Sequence, residues 1–244
     1  MQPKEASILL VDDEPVLLDM LRECFEQIFG QVFCAGDGAQ ALQILAAYKI
    51  DLVITDVRMP VMDGITLFKR IKARGSRTPS LIFITGFADI GVRDAYDLGA
   101  EALLEKPIDW DGMIDIVRRS LSEPWERWGK HVNLSASSLL HRKFRSLSAG
   151  LQERRIAFGR GGFCIENAEF LEDEPVNIDL KFMADGYVLS GQGVVRWVAN
   201  EDNQMGIELT YVAEKSRPRA IQLTQGAGCF IPRTTESSYQ ALAG

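Results

Sequence analysis

Side chains that could do chemistry stand at the ends of four short apolar runs in the first half of the chain. They are Asp12 and Asp13 after the first run, Asp56 after the third, Thr85 at the end of the fourth and Lys106 after the fifth. A carboxylate at the end of a buried segment is costly unless it is paired, bound to a metal or used chemically. If these ends meet, a small hard cation such as Mg²⁺ would relieve the repulsion among the three carboxylates. The alternative is that Asp56 only opens the loop that follows it.

The apolar runs alternate with amphipathic stretches, which predicts a sheet built from strand–helix units. Strands are predicted at 7–11, 31–35, 51–55, 80–85 and 102–105, and helices at 15–28, 38–48, 64–74, 89–98 and 109–121. This alternation predicts a doubly wound parallel sheet, and uniformly apolar strands fit a sheet that is covered on both faces. Such sheets bind ligands beyond the carboxyl ends of their strands, so the polar side chains should lie in one cleft.

Four short motifs occur at these strand ends in a fixed order. They are Asp12-Asp13, the segment D-x-R-M-P-x-M-D-G at 56–64, Thr85-Gly86 and Lys106-Pro107. Together they resemble the CheY-like receiver domain of response regulators over about residues 5–122, half of the chain. The resemblance implies an α/β flavodoxin-like doubly wound parallel sheet, a Lys106–Pro107 bond in cis, and phosphoryl transfer from a sensor histidine kinase to an aspartate.

The resemblance also implies a role for each site residue. Asp56 would be the nucleophile that forms the aspartyl phosphate, and Lys106 and Thr85 would contact the transferred group. The Mg²⁺ ligands would be Asp13 and Asp56 directly, Asp12 through water, and the backbone carbonyl of Arg58. We expect no enzyme activity beyond Mg²⁺-dependent self-phosphorylation and dephosphorylation. A purely structural role stays open for Thr85, because Thr is common in strands.

One position departs from the receiver pattern. Receivers usually place an aromatic residue three positions before the lysine, where its rotamer reports phosphorylation, but this chain has Leu103. We therefore expect the phosphoryl-accepting step to be retained. The output would then pass through dimerisation, giving a homodimer, or through the linker.

The chain changes character after residue 122, where Pro124 should end the fifth helix. The predicted division is a receiver domain at 1–122, a linker at 123–138, a β-barrel domain at 139–226 and a tail at 227–244. Trp125 and Trp128 are expected either to pack at a domain or subunit contact or to be partly exposed. A helix is expected to begin near Pro218.

Beyond residue 139 the pattern alternates as in strands. Residues 139–158 predict a hairpin that turns at Ala149-Gly150, and four further strands are predicted at 162–167, 176–183, 187–200 and 205–212. Six strands in so short a segment predict a C-terminal all-β, six-stranded antiparallel barrel.

The strands of this segment resemble a PilZ domain, whose members typically bind cyclic di-GMP with an arginine pair and a D/N-x-S-x-x-G turn. The segments G-V-V-R-W at 193–197 and M-G-I-E-L at 205–209 match the PilZ pattern. The ligand turn does not match, because Ala157 and Gly159 stand where an acid or amide and a serine are expected. The arginine pair is also absent at its expected distance. Arg154, Arg155 and Arg160 remain as candidate contacts for an anion or for cyclic di-GMP.

Two outputs from different functional classes follow from this pattern. In the first, the PilZ-like domain no longer binds the dinucleotide and contacts an unidentified protein target. In the second, it binds cyclic di-GMP and integrates a second messenger with phosphorylation. An unrecognised enzyme is a third class, but 139–212 holds no nucleophile–base constellation and His141 is its only histidine. No recognition-helix pattern is present, so DNA binding is not expected.

The composition bounds the remaining classes. The 244 residues are 46% hydrophobic and 25% charged with a net charge of −7, and their apolar runs are too short for a membrane span. The polar start of the chain favours a cytoplasmic location, and four cysteines without metal-ligand spacing favour reduced thiols. Residues 127–160 hold eight basic residues and one acidic residue, a pattern typical either of an anion-binding arm or of a solvated strand face.

Overall fold

The structure, a computed structural model, describes residues 5–73, 79–86, 90–122, 126, 128, 138–167, 169–200, 203–225, 227 and 230–231. The chain divides into two compact units, Met1–Glu123 and Pro124–Gly244. The predicted linker at 123–138 and tail at 227–244 lie largely outside the described residues, as do Trp125 and His131. The finer division into linker, barrel and tail therefore stays a prediction.

The N-terminal unit is an open α/β sheet. Its elements are β1 Ser7–Val11, α1 Pro15–Glu26, β2 Gln31–Ala35, α2 Gly38–Ala47, β3 Leu52–Asp56, α3 Gly64–Lys72, β4 Ser80–Thr85, α4 Val92–Leu98, β5 Ala102–Glu105 and α5 Trp110–Leu121. All neighbouring strands are parallel, in the order β2-β1-β3-β4-β5. The predicted flavodoxin-like, doubly wound sheet is confirmed.

Apolar side chains on both faces explain why this sheet is covered by helices. Leu9, Val53 and Phe83 pack with residues of α2, α3 and α4 on one face. On the other face, Ile8, Leu10, Ile54 and Ile82 pack with residues of α1 and α5. Because successive side chains of a strand point to opposite faces, a strand buried on both sides must be apolar throughout.

Local signals fix two helix ends of this unit. The Asp37 side chain accepts hydrogen bonds from the backbone N–H groups of Ala39 and Gln40, at the start of α2. Gly99 ends α4 in the left-handed region, with φ of 100°, a conformation that glycine adopts without steric cost.

The C-terminal unit is a curled six-stranded mixed sheet with the form of a half-barrel. Its elements are β6 Ser138–Phe144, α6 Leu147–Gln152, β7 Ile156–Phe158, β8 Gly162–Glu166, β9 Pro175–Phe182, β10 Tyr187–Ala199, β11 Gln204–Val212 and α7 Arg217–Thr224. The strand order is β6-β9-β10-β11-β8-β7, and β6 runs parallel to β9. The prediction of an all-antiparallel barrel is therefore wrong in its β6 pairing, although the six strands are found.

The predicted hairpin over 139–158 is also wrong. Residues 147–152 form α6, and the strands on either side of it, β6 and β7, lie at opposite edges of the sheet. The Ser146 side chain caps α6 by accepting from the backbone N–H of Ala149 at 3.0 Å, and Asp185 accepts from that of Leu147 at 2.6 Å. The Ser146 cap and the long-range contact to Asp185 stabilise a helical turn. The sequence pattern alone predicts a hairpin turn at the same residues.

Trp128 belongs to the core of the C-terminal unit. Its side chain is fully buried and packs in the same cluster as Leu140, Phe163 and Ala220. Its backbone carbonyl accepts a hydrogen bond of 3.3 Å from the guanidinium of Arg217 on α7. The expectation that Trp128 lies at a domain or subunit contact, or partly exposed, is wrong.

No helix in the described part of the chain is both long and apolar enough to cross a membrane.

Candidate functional site

Three of the predicted site residues meet at the carboxyl ends of the parallel strands. Asp12 directly follows β1, Asp56 is the last residue of the neighbouring β3, and Lys106 directly follows β5. Parallel strands end at one edge of the sheet, so residues far apart in the chain become neighbours there. Asp12 and Asp56 are 1% and 6% exposed.

The Lys106 ammonium is the shared partner of the carboxylates. Its Nζ lies 2.8 Å from Oδ1 of Asp56 and 3.0 Å from Oδ2 of Asp12, and both contacts are ion pairs. A third oxygen, Oε1 of the exposed Glu14, lies at 3.1 Å. One cation therefore bridges the two buried acids and one surface acid.

Backbone N–H groups hold the second oxygen of each buried acid. The Arg58 N–H donates to Oδ2 of Asp56 at 2.6 Å, and the Glu14 N–H donates to Oδ1 of Asp12 at 2.9 Å. With one oxygen fixed by the backbone and the other facing Lys106, each carboxylate has a defined orientation.

Burial and charge set the proton affinities of this cluster. Desolvation raises the pKa of Asp12, and the nearby charge of Asp56 acts in the same direction, against the lowering effects of the Glu14 N–H and of Lys106. Burial by itself lowers the pKa of Lys106. Its hydrogen bonds to Asp56, Asp12 and Glu14 outweigh that effect, so the pKa of Lys106 is raised above its ordinary value. The lysine is therefore cationic throughout the physiological pH range.

The structure places the other predicted receiver residues around this cluster. Thr85 is buried as the last residue of β4, and its carbonyl accepts from the Lys106 N–H at 2.8 Å. The Lys106–Pro107 peptide bond is cis. Asp13 and Arg58 are exposed. The contacts assigned to Thr85 and to the Arg58 carbonyl in the phosphorylated site stay predictions.

The donor set fits Mg²⁺ in its chemistry. Among the described residues, no three acidic, histidine or cysteine side chains are already arranged as a metal site. However, Asp12 and Asp56 both form an ion pair with the Lys106 ammonium, so one oxygen of each carboxylate lies close to the same point. Carboxylate oxygens are hard ligands, which Mg²⁺ prefers. Receiver domains generally use Mg²⁺ at their phosphorylation site.

Two contributors were not singled out from the sequence. Glu14 contacts Lys106, and its position two residues after Asp12 was the available signal. Gly64 is the second contributor. A Cβ atom at Gly64 would lie 2.2 Å from the carbonyl oxygen of Asp56, so α3 can begin against the end of β3 only with glycine at this position.

The three candidate arginines of the C-terminal unit lie on either side of β7 in the chain. Arg154 and Arg155 precede the three-residue β7, and Arg160 follows it. Arg155 is engaged within the unit, since its Nε lies 3.3 Å from Oε2 of Glu166 and its guanidinium lies 5.3 Å from the centroid of the Phe144 ring.

The turn at the position of the PilZ ligand turn is covered by the chain's own later residues. The Gly161 N–H donates to the carbonyl of Phe230 at 2.9 Å. A Cβ atom at Gly161 would lie 2.0 Å from the Phe230 ring, which is itself buried. The ring of Phe230 therefore packs directly over the backbone of this turn.

The family model described as "Response regulator receiver domain" matches residues 8–118, which lie within the N-terminal unit. Sporulation initiation phosphotransferase F of Bacillus subtilis is 35% identical over 115 residues, covering 47% of this chain and 92% of that protein. The chain therefore belongs, through its N-terminal unit, to the response regulator receiver family.

Other similar proteins extend beyond the matched region. Transcriptional regulatory protein CrdR of Helicobacter pylori is 32% identical, over 49% of this chain and 56% of that protein. Regulatory protein AtoC of Escherichia coli is 37% identical, over 47% of this chain and 25% of that protein. The chain thus covers about half or less of the length of these curated relatives. Among solved structures, a CheY-like receiver domain from Methylobacillus flagellatus is 26% identical with a TM-score of 0.44, covering 48% of this chain and 98% of that chain.

Proposed function

We propose that this protein is a two-component response regulator in which Asp56 accepts a phosphoryl group from a sensor histidine kinase. The observation that supports this most directly is the Lys106 ammonium, held between the carboxylates of Asp56 and Asp12. A nucleophile needs an oriented lone pair, and the developing charge on the phosphoryl oxygens needs a fixed positive partner. Asp56 and Lys106 meet these two requirements.

In the proposed reaction, a carboxylate oxygen of Asp56 attacks the phosphorus of a phosphohistidine. The new O–P bond forms as the P–N bond breaks, and the electron pair of that bond returns to the imidazole. The Arg58 N–H keeps Oδ2 of Asp56 in place, while Lys106 compensates for negative charge on the transferred group. When bound, Mg²⁺ would neutralise charge on the acids and on the phosphoryl oxygens, with Asp12, Asp13, Asp56 and the Arg58 carbonyl as its ligands.

We propose no catalytic activity for this protein beyond its self-phosphorylation and the hydrolysis of the aspartyl phosphate. The phosphoryl group would add about −1.5 to −2 charges at Asp56. Asp12 and Lys106 already form one electrostatic cluster with Asp56, so an added charge at Asp56 changes the electrostatic energy of the whole cluster. Thr85 lies next to this cluster, since its backbone carbonyl accepts from the Lys106 N–H.

For the C-terminal unit we propose a PilZ-like output that acts by protein–protein contact and does not bind cyclic di-GMP. Three observations favour this over dinucleotide binding. Ala157 and Gly159 lack the side chains that would read a guanine edge, Arg155 is engaged by Glu166, and Phe230 covers Gly161. Losing two such hydrogen-bond partners costs roughly 1–3 kcal/mol each.

Labelling with acetyl phosphate in the presence of Mg²⁺ tests the first proposal. We expect the full chain to acquire one acid-stable, base-labile phosphoryl group and Asp56→Asn to acquire none. Asp63→Asn is a matched control, because Asp63 caps α3 by accepting from the Thr66 N–H and does not contact Lys106. Equal labelling of Asp56→Asn and the unmodified chain would place the phosphoacceptor elsewhere.

Calorimetric titration of the full chain with cyclic di-GMP tests the second proposal. We expect no saturable heat at micromolar ligand. Saturable binding that disappears in an Arg154→Ala/Arg155→Ala/Arg160→Ala variant would establish dinucleotide binding instead.

A further inference from the structure

The C-terminal unit contains an open cleft of about 610 Å³ that the proposed phosphorylation chemistry does not use. It lies between the start of β10, the end of β11 and the turn that precedes α7. Its side-chain walls are Tyr187, Val188, Tyr211, Glu214 and Lys215. The volume is within the range of ligand-binding clefts, roughly 300–1,000 Å³. The cleft is thus large enough to hold one or two side chains of a partner.

The polar groups at the base of the cleft are already bonded within the unit. The Ser216 hydroxyl donates to the carbonyl of Val188 at 2.7 Å and accepts from the N–H of Ser190 at 3.1 Å. The Tyr187 hydroxyl donates to the carbonyl of Ser216 at 3.3 Å. Ser216 therefore takes the place of a neighbouring strand along the first residues of β10. The floor of the cleft therefore presents mainly aromatic and aliphatic carbon atoms to a ligand. Such a surface suits an apolar side chain better than a nucleobase.

Two exposed apolar side chains lie in the segment of chain that runs from the end of β9 into the cleft. Val188 lines the cleft and is 38% exposed, and Met183 in the β9–β10 turn is 63% exposed. Tyr211 lies on the opposite wall, on β11. Large apolar residues that remain exposed together at a cleft mark interaction sites.

Three basic side chains lie at or near the cleft. Lys215 lines the cleft, the Arg217 guanidinium lies 5.9 Å from the centroid of the Tyr211 ring, and the charge of Arg219 acts on Tyr187. Glu214 is the acidic side chain among the lining residues. An excess of fixed positive charge selects negatively charged partners and steers their approach.

We propose that this cleft docks an acidic segment of a partner protein, which inserts one aliphatic or aromatic side chain between Tyr187, Val188 and Tyr211. The inference deepens the proposed protein–protein output and rests on it. Apolar burial in the cleft supplies the anchor, and Lys215 with Arg217 and Arg219 supplies the preference for acidic flanks.

The test uses the full chain and an array of 12-residue peptides. Each peptide carries one Leu, Phe or Trp flanked by three acidic residues, and a reference array carries the same anchors flanked by three lysines. We expect selective retention of acidic, anchor-containing peptides, with affinities then measured by fluorescence anisotropy. Replacing the anchor by serine should abolish the binding.

Two cleft variants and two matched controls localise the binding. Lys215→Glu and Val188→Thr should each weaken the selected peptide roughly ten-fold, through charge and through apolar contact respectively. Lys49→Glu changes an exposed lysine of the N-terminal unit, and Leu171→Ser changes an exposed leucine outside the cleft. Neither control should alter the affinity. Circular dichroism checks that all four variants remain folded.

Three results of the peptide experiments would overturn the proposal. They are equal retention of the two arrays, unchanged affinity in both cleft variants, and displacement of the peptide by a mononucleotide or cyclic di-GMP. A dimer of the full chain that Lys215→Glu dissociates would assign the cleft to a second copy instead. Acetyl phosphate labelling of Asp56 is measured in parallel. A chain that labels normally but binds no acidic peptide disproves the docking site alone.

Discussion

At the scale of single residues, the reactive site depends on one cation and the acids around it. The Lys106 Nζ lies within 3.1 Å of carboxylate oxygens from Asp12, Glu14 and Asp56. Two of these acids are buried, where an unpaired charge is costly. The lysine therefore gives both buried acids a charged partner and holds a fixed positive charge beside Asp56.

We predict that Lys106→Met slows labelling by acetyl phosphate on the order of 100-fold, the typical effect of removing one fixed charge-stabilising donor. Methionine keeps most of the unbranched side chain, one atom shorter, and removes the ammonium. The initial rate of phosphoprotein formation, followed on phosphate-affinity gels, measures the effect. Lys49→Met, at an exposed lysine of the same unit, is the control and should label at the unmodified rate. An undiminished rate in Lys106→Met would remove Lys106 from the chemistry.

At the scale of elements, the end of β3 and the start of α3 are fitted to one another through Gly64. Its N–H donates to the carbonyl of Val57 at 3.1 Å, and its Cα faces the carbonyl of Asp56 so closely that a side chain cannot be added without backbone movement. The end of the strand that presents Asp56 therefore depends on a residue outside the cluster around Lys106.

Gly64→Ala is predicted to lower the free energy of unfolding by roughly 1–3 kcal/mol and to reduce labelling of Asp56. The added Cβ would lie 2.2 Å from the Asp56 carbonyl oxygen, so β3 or α3 must shift. Urea unfolding and acetyl phosphate labelling measure the two effects. Gly36→Ala is the matched control, because a Cβ there meets no atom closer than 3.8 Å. Unchanged stability in Gly64→Ala would show that the turn relaxes without cost.

Strands β10 and β11 are joined by an ion pair between a buried glutamate and a partly exposed arginine. Glu208 is 3% exposed in the middle of β11, and its Oε2 lies 2.7 Å from Nε of Arg196 on β10. Arg196 also pairs with the exposed Asp173 at 3.2 Å. Removing one partner of such a pair leaves a buried charge without compensation, which costs more than the pair contributes as a whole.

Arg196→Met should destabilise the C-terminal unit by about 3–5 kcal/mol, and the double variant Arg196→Met/Glu208→Leu should recover much of that loss. Urea unfolding of both variants, followed by tryptophan fluorescence, measures this. The control is Arg142→Met, whose partner Glu169 is exposed and whose loss should cost at most about 1 kcal/mol. A double variant as unstable as the single one would show that Arg196 stabilises by packing and not by charge.

At the scale of the whole molecule, each unit has its own core. The clusters of the N-terminal unit contain residues up to Leu121, and that of the C-terminal unit contains Trp128. Only six residues separate these two positions in the chain.

Trp128→Ala is predicted to destabilise the C-terminal unit by about 3–5 kcal/mol, because a fully buried indole is lost from its core. The N-terminal unit should keep both its unfolding transition and its labelling at Asp56. Differential scanning calorimetry combined with labelling measures both units in one chain. Leu171→Ala, at an exposed position, is the control. Loss of labelling in Trp128→Ala would show that the two units fold as one.

The sequence alone determined the N-terminal unit and most of its site. The sequence places Asp12, Asp56 and Lys106 in one site because each follows or ends a predicted strand. Parallel strands end at the same edge of a sheet, so the local strand patterns already determine which of these polar groups meet. Only the tertiary structure decided the partners at that edge, including Glu14 on Lys106 and the close approach of Gly64 to Asp56. The same holds for α6 in place of a hairpin, for the parallel pairing of β6 with β9, and for Trp128 in a core. These features depend on contacts between segments far apart in the chain, such as Leu147 with Asp185 and Trp128 with Arg217, and no local pattern of side chains records such contacts.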